Sequence, residues 1–331
     1  PSAAGVEYAH RYRNTLNSRR EKVLVYDLGG GTFDVSLVDM QGRAHDVVQS
    51  RGLSRLGGDD FDDVLMGLAL AQAKLPRSEL SLASLVELGQ HCRELKEAIN
   101  PNTRKVHVEV GRSLTPADRT RLGALEGLTA VVPIDAFDAA CAPLLEHTLE
   151  LVRQTLGHGG GGSNGSNNGA SDAEEAAARE IAGLYVVGGA SALPAVARAL
   201  RTDYGRRVRR SPYPSGAIAI GLAIAADEAA EYQLKDRFHH NLGVFREVQG
   251  GAQIGFDRII GPETAVPAPG GRPVQLSRRY RATHNVGHFR FIECGWLDAS
   301  GHPSGDIKPF ADVLFPFDPD LRGHSDLSRV P

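Results

Sequence analysis

The sequence predicts an α/β domain followed by a small all-β domain, and three observations predict it. Short apolar runs of strand length alternate with Ala- and Leu-rich stretches of helical period through residues 1–231, as in a layered α/β fold. The Ala-rich texture then stops, and 11 of the 20 aromatic residues fall between Tyr232 and Phe317. Beyond that point strand-like runs follow one another with turn residues between them. The boundary lies near residues 232–238.

Taken in order, Pro1-Ser2-Ala3-Ala4-Gly5-Val6-Glu7-Tyr8 has no initiator methionine, leader or strand. It reads as the middle of a domain, as in a fragment or a product missing its N-terminal half. Lys22–Asp27 is a short apolar strand that meets Gly29-Gly30-Gly31 and resumes as Phe33–Val38, a hairpin about a glycine turn. His45–Ser50 extends that sheet. Asp59–Ala73 sets Phe61, Val64, Leu65 and Leu68 at helical spacing. Ser81–Ile99 is a second helix, with Ser81 and Ser84 as caps and Pro101 as its stop. Arg104–Val110 alternates like a half-buried strand, and Leu128–Ile134 is another strand. Asp135 caps a long helix to Leu156 with Phe137, Leu145, Leu149 and Val152 on one stripe. Pro143 inside it predicts a kink.

Residues Gly159–Gly169 read GGGGSNGSNNG, without one apolar side chain, and form a flexible surface insertion spanning roughly 18 Å. A helix over Ala173–Ala182 follows, then a buried strand, Leu184–Val187, ending at Gly188-Gly189. Leu193–Tyr204 and Gly216–Ala230 are further helices. The last part, residues 238–322, holds five strand signals: Gly243–Val248, Gln253–Asp257, Val274–Ala282, His288–Leu297 and Asp312–Phe315. Gly250-Gly251, Gly261-Pro262 and Pro269-Gly270-Gly271 punctuate them. A β-sandwich or barrel of about 90 residues is expected.

Charge and cysteine content narrow the function classes. Lys plus Arg number 37 and Asp plus Glu 40, a net charge of −3. Nothing there favours nucleic acid or an anionic membrane. The longest apolar run, Ala217–Ala226, is too short to span a bilayer. Cys92, Cys141 and Cys294 are odd in number and far apart, and read as buried thiols of a reducing compartment. Six of the 12 histidines lie after residue 231. His284 and His288 have ligand spacing for a helix, but the run around them is a strand, so they read as polar strand-end groups. Arg278-Arg279-Tyr280-Arg281 reads as a solvated strand face.

The chemistry concentrates in Asp27-Leu28-Gly29-Gly30-Gly31-Thr32-Phe33-Asp34. Three glycines between two strands let the backbone turn sharply and approach a ligand closely. Successive N–H groups make a nest for phosphate oxygens, and the Thr32 hydroxyl adds a donor. A polyphosphate brings charge that needs a divalent cation. Asp27 and Asp34, at the strand ends, suit Mg²⁺ held through its retained waters. Gly188-Gly189, after a buried strand, allow a tight strand-to-helix turn. They also admit ribose and phosphate to the backbone.

This octet resembles the second phosphate hairpin of the actin-like ATPases, in the version of the seventy-kilodalton heat-shock chaperones, the DnaK family. The resemblance continues in order over about 220 residues. Pro1–Tyr8 is similar to the end of the family's E-P-T-A-A-A stretch. Leu56-Gly57-Gly58-Asp59-Asp60-Phe61-Asp62 resembles L-G-G-E-D-F-D, which opens an outer subdomain, here residues 57–134. Cys92-Arg93-Glu94-Leu95-Lys96-Glu97 stands where the family has its C-E-x-x-K adenosine helix. Val186-Val187-Gly188-Gly189-Ala190-Ser191-Ala192-Leu193-Pro194 resembles the V-G-G-S-x-R-I-P adenosine loop. Tyr213-Pro214-Ser215-Gly216-Ala217-Ile218-Ala219-Ile220-Gly221 resembles N-P-D-E-A-V-A-x-G.

The resemblance implies the second lobe of an actin-like (ribonuclease H-like) ATPase domain, then the small all-β domain. It implies ATP or ADP with Mg²⁺ as ligands and a cytoplasmic chaperone-like role. An unfolded client polypeptide held by the β domain, with co-chaperones, would be the partners. It also implies site roles. Asp27 and Asp34 hold the Mg²⁺ waters, with Asp34 helping to place the attacking water. Gly29, Gly30, Gly31 and Thr32 cradle the β and γ phosphates. Gly57, Gly58, Arg93, Lys96, Glu97, Asn100, Gly188, Gly189, Ala190 and Ala192 line the nucleotide. The departures matter as much. Where the family sets two arginines about the adenine, this chain has Glu97 and Ala192. The family's glutamate is Arg93, and its serine contact is Asn100. A carboxylate and a methyl supply no stacking, and Arg93 with Glu97 also reads as an ordinary i, i+4 pair. A hydrolase that needs a first lobe, a non-catalytic scaffold and a sugar kinase of the same superfamily stay open.

Overall fold

The computed structural model describes every residue except 1, 18, 19, 124–126, 158–179, 236, 239, 250, 251, 268, 269, 283, 299, 323–326 and 328–331. The glycine-rich stretch Gly159–Gly169 lies outside the described residues. So does most of the helix expected over Ala173–Ala182; of its described residues, Glu180 is helical, and Ile181 and Ala182 belong to a strand.

The central sheet explains the apolar runs. Strands β1 (Lys22–Leu28), β2 (Phe33–Gln41) and β3 (Ala44–Leu53) form an antiparallel meander. β6 (Ile181–Val187) adds parallel to β1, and β7 (Val208–Arg210) parallel to β6. At the other edge β8 (Gln233–Lys235) adds parallel to β3, so the order is β7-β6-β1-β2-β3-β8. Both faces are covered, which is why β1 reads as a continuous hydrophobic run and not as an alternation. Leu24, Tyr26 and Leu28 face one core with Val35, Leu37, Phe61 and Phe137. Val23 and Val25 face the other, with Val38, Met40, Tyr185, Tyr8 and Ala217.

Helices α1 (Ser2–Arg11) and α8 (Ala217–Ala226) cover that second face. Every residue from Ser2 to Ala9 is buried, so α1 has no polar stripe to mark it in the sequence. Gly221 of α8 meets the backbone of α1: a Cβ there would lie 1.8 Å from the Ala3 carbonyl oxygen. The carboxylate of Glu7, fully buried, accepts from the Ser211 hydroxyl at 3.1 Å and from Arg11 Nε at 2.8 Å.

The first face carries α6 (Ile134–Gly157) and α7 (Pro194–Tyr204), and beyond them an outer unit. That unit comprises α2 (Gly58–Ala73), α3 (Leu82–Glu97), the short helices α4 (Val110–Ser113) and α5 (Pro116–Leu122), and the ribbon β4 (Lys105–Val108) with β5 (Ala130–Pro133). Ser81 caps α3, as its sequence predicts, by accepting from Ser84 N–H. Asp118 accepts from the Ser81 and Ser84 hydroxyls, which hold its carboxyl well below the ordinary carboxylate range. One detail differs from expectation: Asp135 sits inside the first turn of α6 and not at its cap, while the helix holds Pro143 in its interior as expected.

After residue 240 the chain forms one four-stranded antiparallel sheet in the order β10-β9-β11-β14. Its strands are β9 (Asn241–Val248), β10 (Gln253–Ile260), β11 (Val286–Cys294) and β14 (Lys308–Pro316). A small ribbon joins β12 (Trp296–Leu297) to β13 (Pro303–Ser304). The strand expected over Val274–Ala282 does not form. Its alternation is met by side chains: Tyr280 O–H donates to Asp257 at 2.6 Å, and Arg278 donates to the Arg258 carbonyl at 3.2 Å. With one sheet of four strands and a ribbon, the described residues do not make a two-sheet sandwich. Among them, no helix is long and apolar enough to cross a membrane.

Candidate nucleotide site

The hairpin turn of Gly29–Thr32 is the floor of the site, closed by Gly29 N–H donating to the Thr32 carbonyl at 2.9 Å. The N-terminal turn of α2 packs onto it through the backbone: Gly58 N–H donates to Gly29 O at 2.9 Å and Asp59 N–H to Gly30 O at 2.7 Å. Such an approach needs glycine, because a Cβ on Gly57 would lie 2.5 Å from the Gly30 oxygen. Asp60 supplies one half of a capping box by accepting from Gly57 N–H at 2.8 Å. On the other side Gly188, with φ of 86°, passes the end of β1 so closely that a Cβ would lie 2.3 Å from Leu28 O and 2.6 Å from Asp27 Oδ1. Its N–H donates to Pro214 O at 2.9 Å, and its carbonyl accepts from the Ser191 hydroxyl at 2.6 Å.

The two acids stand opposite each other as register partners of β1 and β2. Burial raises the Asp27 carboxyl above the ordinary carboxylate range, and the charge of Asp34 adds to it. Gly52 of β3 is the register partner of Asp34 and leaves room for its side chain: a Cβ there would lie 2.5 Å from Asp34 Oδ1. Two opposed carboxylates at the base of the glycine turn are a donor set of the kind that suits Mg²⁺ held through water.

From α3 come Lys96 and Arg93. Lys96 is buried, donates to Gly58 O at 2.9 Å and pairs with Asp62 at 2.7 Å, locking α3 onto the first turn of α2. Burial raises the Asp62 carboxyl, with Lys96 pulling the other way. Arg93 lies over the hairpin: its Nη2 is 3.9 Å from where a Cβ on Gly30 would sit. It pairs with Glu97 at 3.3 Å and with Asp59 at 3.7 Å.

The structure therefore brings together Asp27, Asp34, Gly29 to Thr32, Gly57, Gly58, Arg93, Lys96, Gly188 and Ala190, whose Cβ is 3.3 Å from a Cβ built on Gly58. Gly189 is exposed, with Ser215 Oγ 3.3 Å from its Cβ position. Glu97, Asn100 and Ala192 are exposed. Glu97 meets Arg93, and Asn100 closes its own loop by accepting from Asn102 N–H at 3.0 Å. Sequence reasoning passed over Asp59, Asp62, Gly52 and Ser215. The first two stand inside a motif noticed for its glycines, and the last inside one noticed only by resemblance.

Elsewhere the histidine and cysteine readings meet their surroundings. His284 pairs with Glu247 at 2.9 Å and His288 with Asp312 at 2.5 Å, two separate partners. No group of three or more His, Cys, Asp or Glu among the described residues is placed to hold a metal. All three cysteines are free and buried, and burial pushes the Cys92 and Cys141 thiols up to about 12.

The chain has known counterparts. A family model described as "Hsp70 protein" matches residues 1–236. A chaperone protein HscA homolog of Burkholderia pseudomallei (strain 668) is 31% identical over 274 residues, covering 81% of this chain and 38% of the relative. One from Shewanella sp. (strain ANA-3) is 31% identical over 276 residues, with the same coverage. One from Burkholderia thailandensis is 30% identical over 274 residues. The chain thus spans well under half the length of these curated relatives.

Proposed function

Because the chain belongs to the Hsp70 family, we propose that it is a chaperone-type nucleotide-binding protein that takes ATP or ADP with Mg²⁺ at the β1–β2 hairpin. Residues 1–231 are read as the second lobe of the actin-like ATPase domain and residues 238–322 as a partner-binding domain for extended polypeptide. The observation that carries the reading is the backbone seam between Gly29–Gly30 and Gly58–Asp59, which leaves the exposed glycines Gly30 and Gly31 as the rim of a phosphate-sized turn.

In this reading the N–H groups of the turn and the Thr32 hydroxyl donate to phosphate oxygens. The Gly188 turn admits ribose and α-phosphate to the backbone. Lys96 keeps α3 in register with α2, so that the wall of the site is fixed before ligand arrives. Asp34 orients water at the phosphate end, and Asp27, opposite it on β1, shares the holding of the Mg²⁺ waters. Asp27 and Asp34 would hold Mg²⁺ through water, and the ion would supply neutralisation of the phosphate charge. Hydrolysis depends on charge stabilisation from several sides, and these residues furnish one of them.

Calorimetric titration of the 331-residue chain with ATP and with ADP, with and without Mg²⁺, tests the reading. Saturable, Mg²⁺-dependent binding is expected. Heats indistinguishable from dilution up to millimolar nucleotide overturn it. A second reading, a nucleotide-responsive scaffold without hydrolysis, draws on Glu97 and Ala192, neither of which stacks on a base. Phosphate release in the presence of a complementing first lobe separates the two.

A further inference from the structure

We propose that Arg93 makes this site select its ligand by the polyphosphate chain and not by the base, the ligand class being nucleoside di- and triphosphates of any base. The assignment rests on the nucleotide reading above.

Three observations carry it. The guanidinium lies at the glycine turn, with Nη2 3.9 Å from the Cβ position of Gly30. Of its counter-charges, Asp59 is also at the rim, with Oδ2 3.8 Å from the Cβ position of Gly31, and Glu97 lies one helical turn along α3. Both pairs are solvent-exposed, with the Arg93 side chain 47% accessible, Asp59 67% and Glu97 63%. Exposed pairs of this kind hold an arginine only weakly. A guanidinium, in contrast, matches a phosphate bidentately with its planar fork of donors, and the match strengthens as the turn desolvates around the ligand. Arg93 is thus parked between two weak partners beside the place where a doubly charged oxyanion would lie.

The surroundings offer the base much less. Glu97 is held by Arg93, and Ala192 presents a methyl, so neither provides a planar cation to stack. Binding free energy is therefore concentrated at the phosphate end. Asp59 and Glu97 then act as competitors that the incoming phosphate displaces.

The experiment uses the full chain at fixed Mg²⁺ and low salt, titrated with ATP, GTP and inorganic tripolyphosphate. ATP and GTP are expected to bind within about threefold of each other, because no stacking contact separates the bases. Arg93→Gln keeps a good helix former at an exposed position. It is expected to weaken all three ligands about tenfold, the loss of one charged hydrogen-bonding group. Arg93→Lys, with charge but no fork, should fall between the two. Glu97→Gln should tighten tripolyphosphate by a factor of about two, by removing a competitor. Unchanged tripolyphosphate affinity in Arg93→Gln, or a loss confined to ATP, overturns the assignment while leaving the nucleotide site standing. Wild-type chain that binds none of the three overturns the nucleotide reading itself and the role of Arg93 with it. A thermal melt of each variant within a few degrees of wild type shows that the fold is kept.

Discussion

Asp27 and Asp34 are direct cross-strand partners, one residue pair inside the turn that closes the β1–β2 hairpin. Like charges set opposite each other destabilise a ladder, and burial has already raised the Asp27 carboxyl. The hairpin therefore carries a local electrostatic cost that a divalent cation would relieve.

Asp34→Asn should accordingly stabilise the unliganded chain while impairing the site. A gain of about 0.5–1 kcal/mol is expected in urea unfolding without Mg²⁺. The stabilisation by added Mg²⁺ and nucleotide should disappear in the same variant. A variant less stable than wild type in the absence of Mg²⁺ would show that the two carboxylates are not in conflict.

The helix pair beneath the sheet leads to a second expectation. Gly221 has no room for a side chain against Ala3 O, and both helices are in a core that cannot shift without moving Tyr8 and Tyr185. Gly221→Ala should cost about 2–3 kcal/mol through overpacking, although alanine is the better helix former. Gly67, also helical, has nothing within 4 Å of its Cβ position, so Gly67→Ala is the control and should stabilise slightly. Equal behaviour of the two variants in thermal melts would contradict the close approach of α1 and α8.

Much of this was legible in the sequence, and the failures have physical causes. The hairpin could be read because two apolar strands flank three glycines, a pattern with few other uses. The N-cap of α3 was legible because Ser81 acts within one turn, whereas Ser84, the other expected cap, lies inside the helix and donates to Asp118. α1 was not, since a helix buried on every side has no stripe. Val274–Ala282 misled because alternation reports side-chain surroundings and not backbone pairing. β8 is too short and too polar to signal a strand: its Gln-Leu-Lys pairs through register with Ala44–Asp46. Arg93 was legible as a departure, but its place over Gly30 depends on a contact between residues 63 positions apart, which spacing alone does not carry.

A pH dependence follows from His45 in β3. The residue is fully buried, its ring 5.2 Å from that of Tyr232, and burial lowers its imidazole to about 4, with the Gly42 carbonyl pulling the other way. The folded chain therefore keeps it neutral while the unfolded chain protonates near pH 6.5. Stability from this group is complete at neutral pH and is lost as pH falls from about 6.5 toward 4, by roughly 2 kcal/mol between pH 7.5 and pH 5. His45→Phe should remove that part of the slope. Urea melts at the two pH values that show the same slope for variant and wild type would refute it.

The junction between the two sheets supports a further prediction. Gln233 N–H donates to Arg43 O at 2.9 Å, Arg237 grips Asp46 through two bonds of 2.8 and 3.1 Å, and Arg43 pairs with Glu231. Gln233→Pro with Arg237→Ala removes one backbone bond and one bidentate pair. Trypsin cleavage after Lys235 should then accelerate about tenfold, as β8 opens more often. Cleavage at an unchanged rate would mean that the segment is held by something other than β8 pairing.

The two sheets end very differently. The six-stranded sheet terminates in β7 and β8, three residues each, so neither edge offers a template long enough to recruit another chain. The four-stranded sheet ends in β14, nine residues long and exposed along all but its last. Pro309 and Pro316 lack donors, leaving Phe310-Ala311-Asp312-Val313-Leu314-Phe315 as a six-residue apolar window interrupted by one charge. Asp312, paired with His288, is thus the gatekeeper of that window. The solubility of this edge leans on that one carboxylate: Asp312→Val is expected to turn the chain toward edge-to-edge assembly, read by light scattering, whatever happens at the nucleotide site.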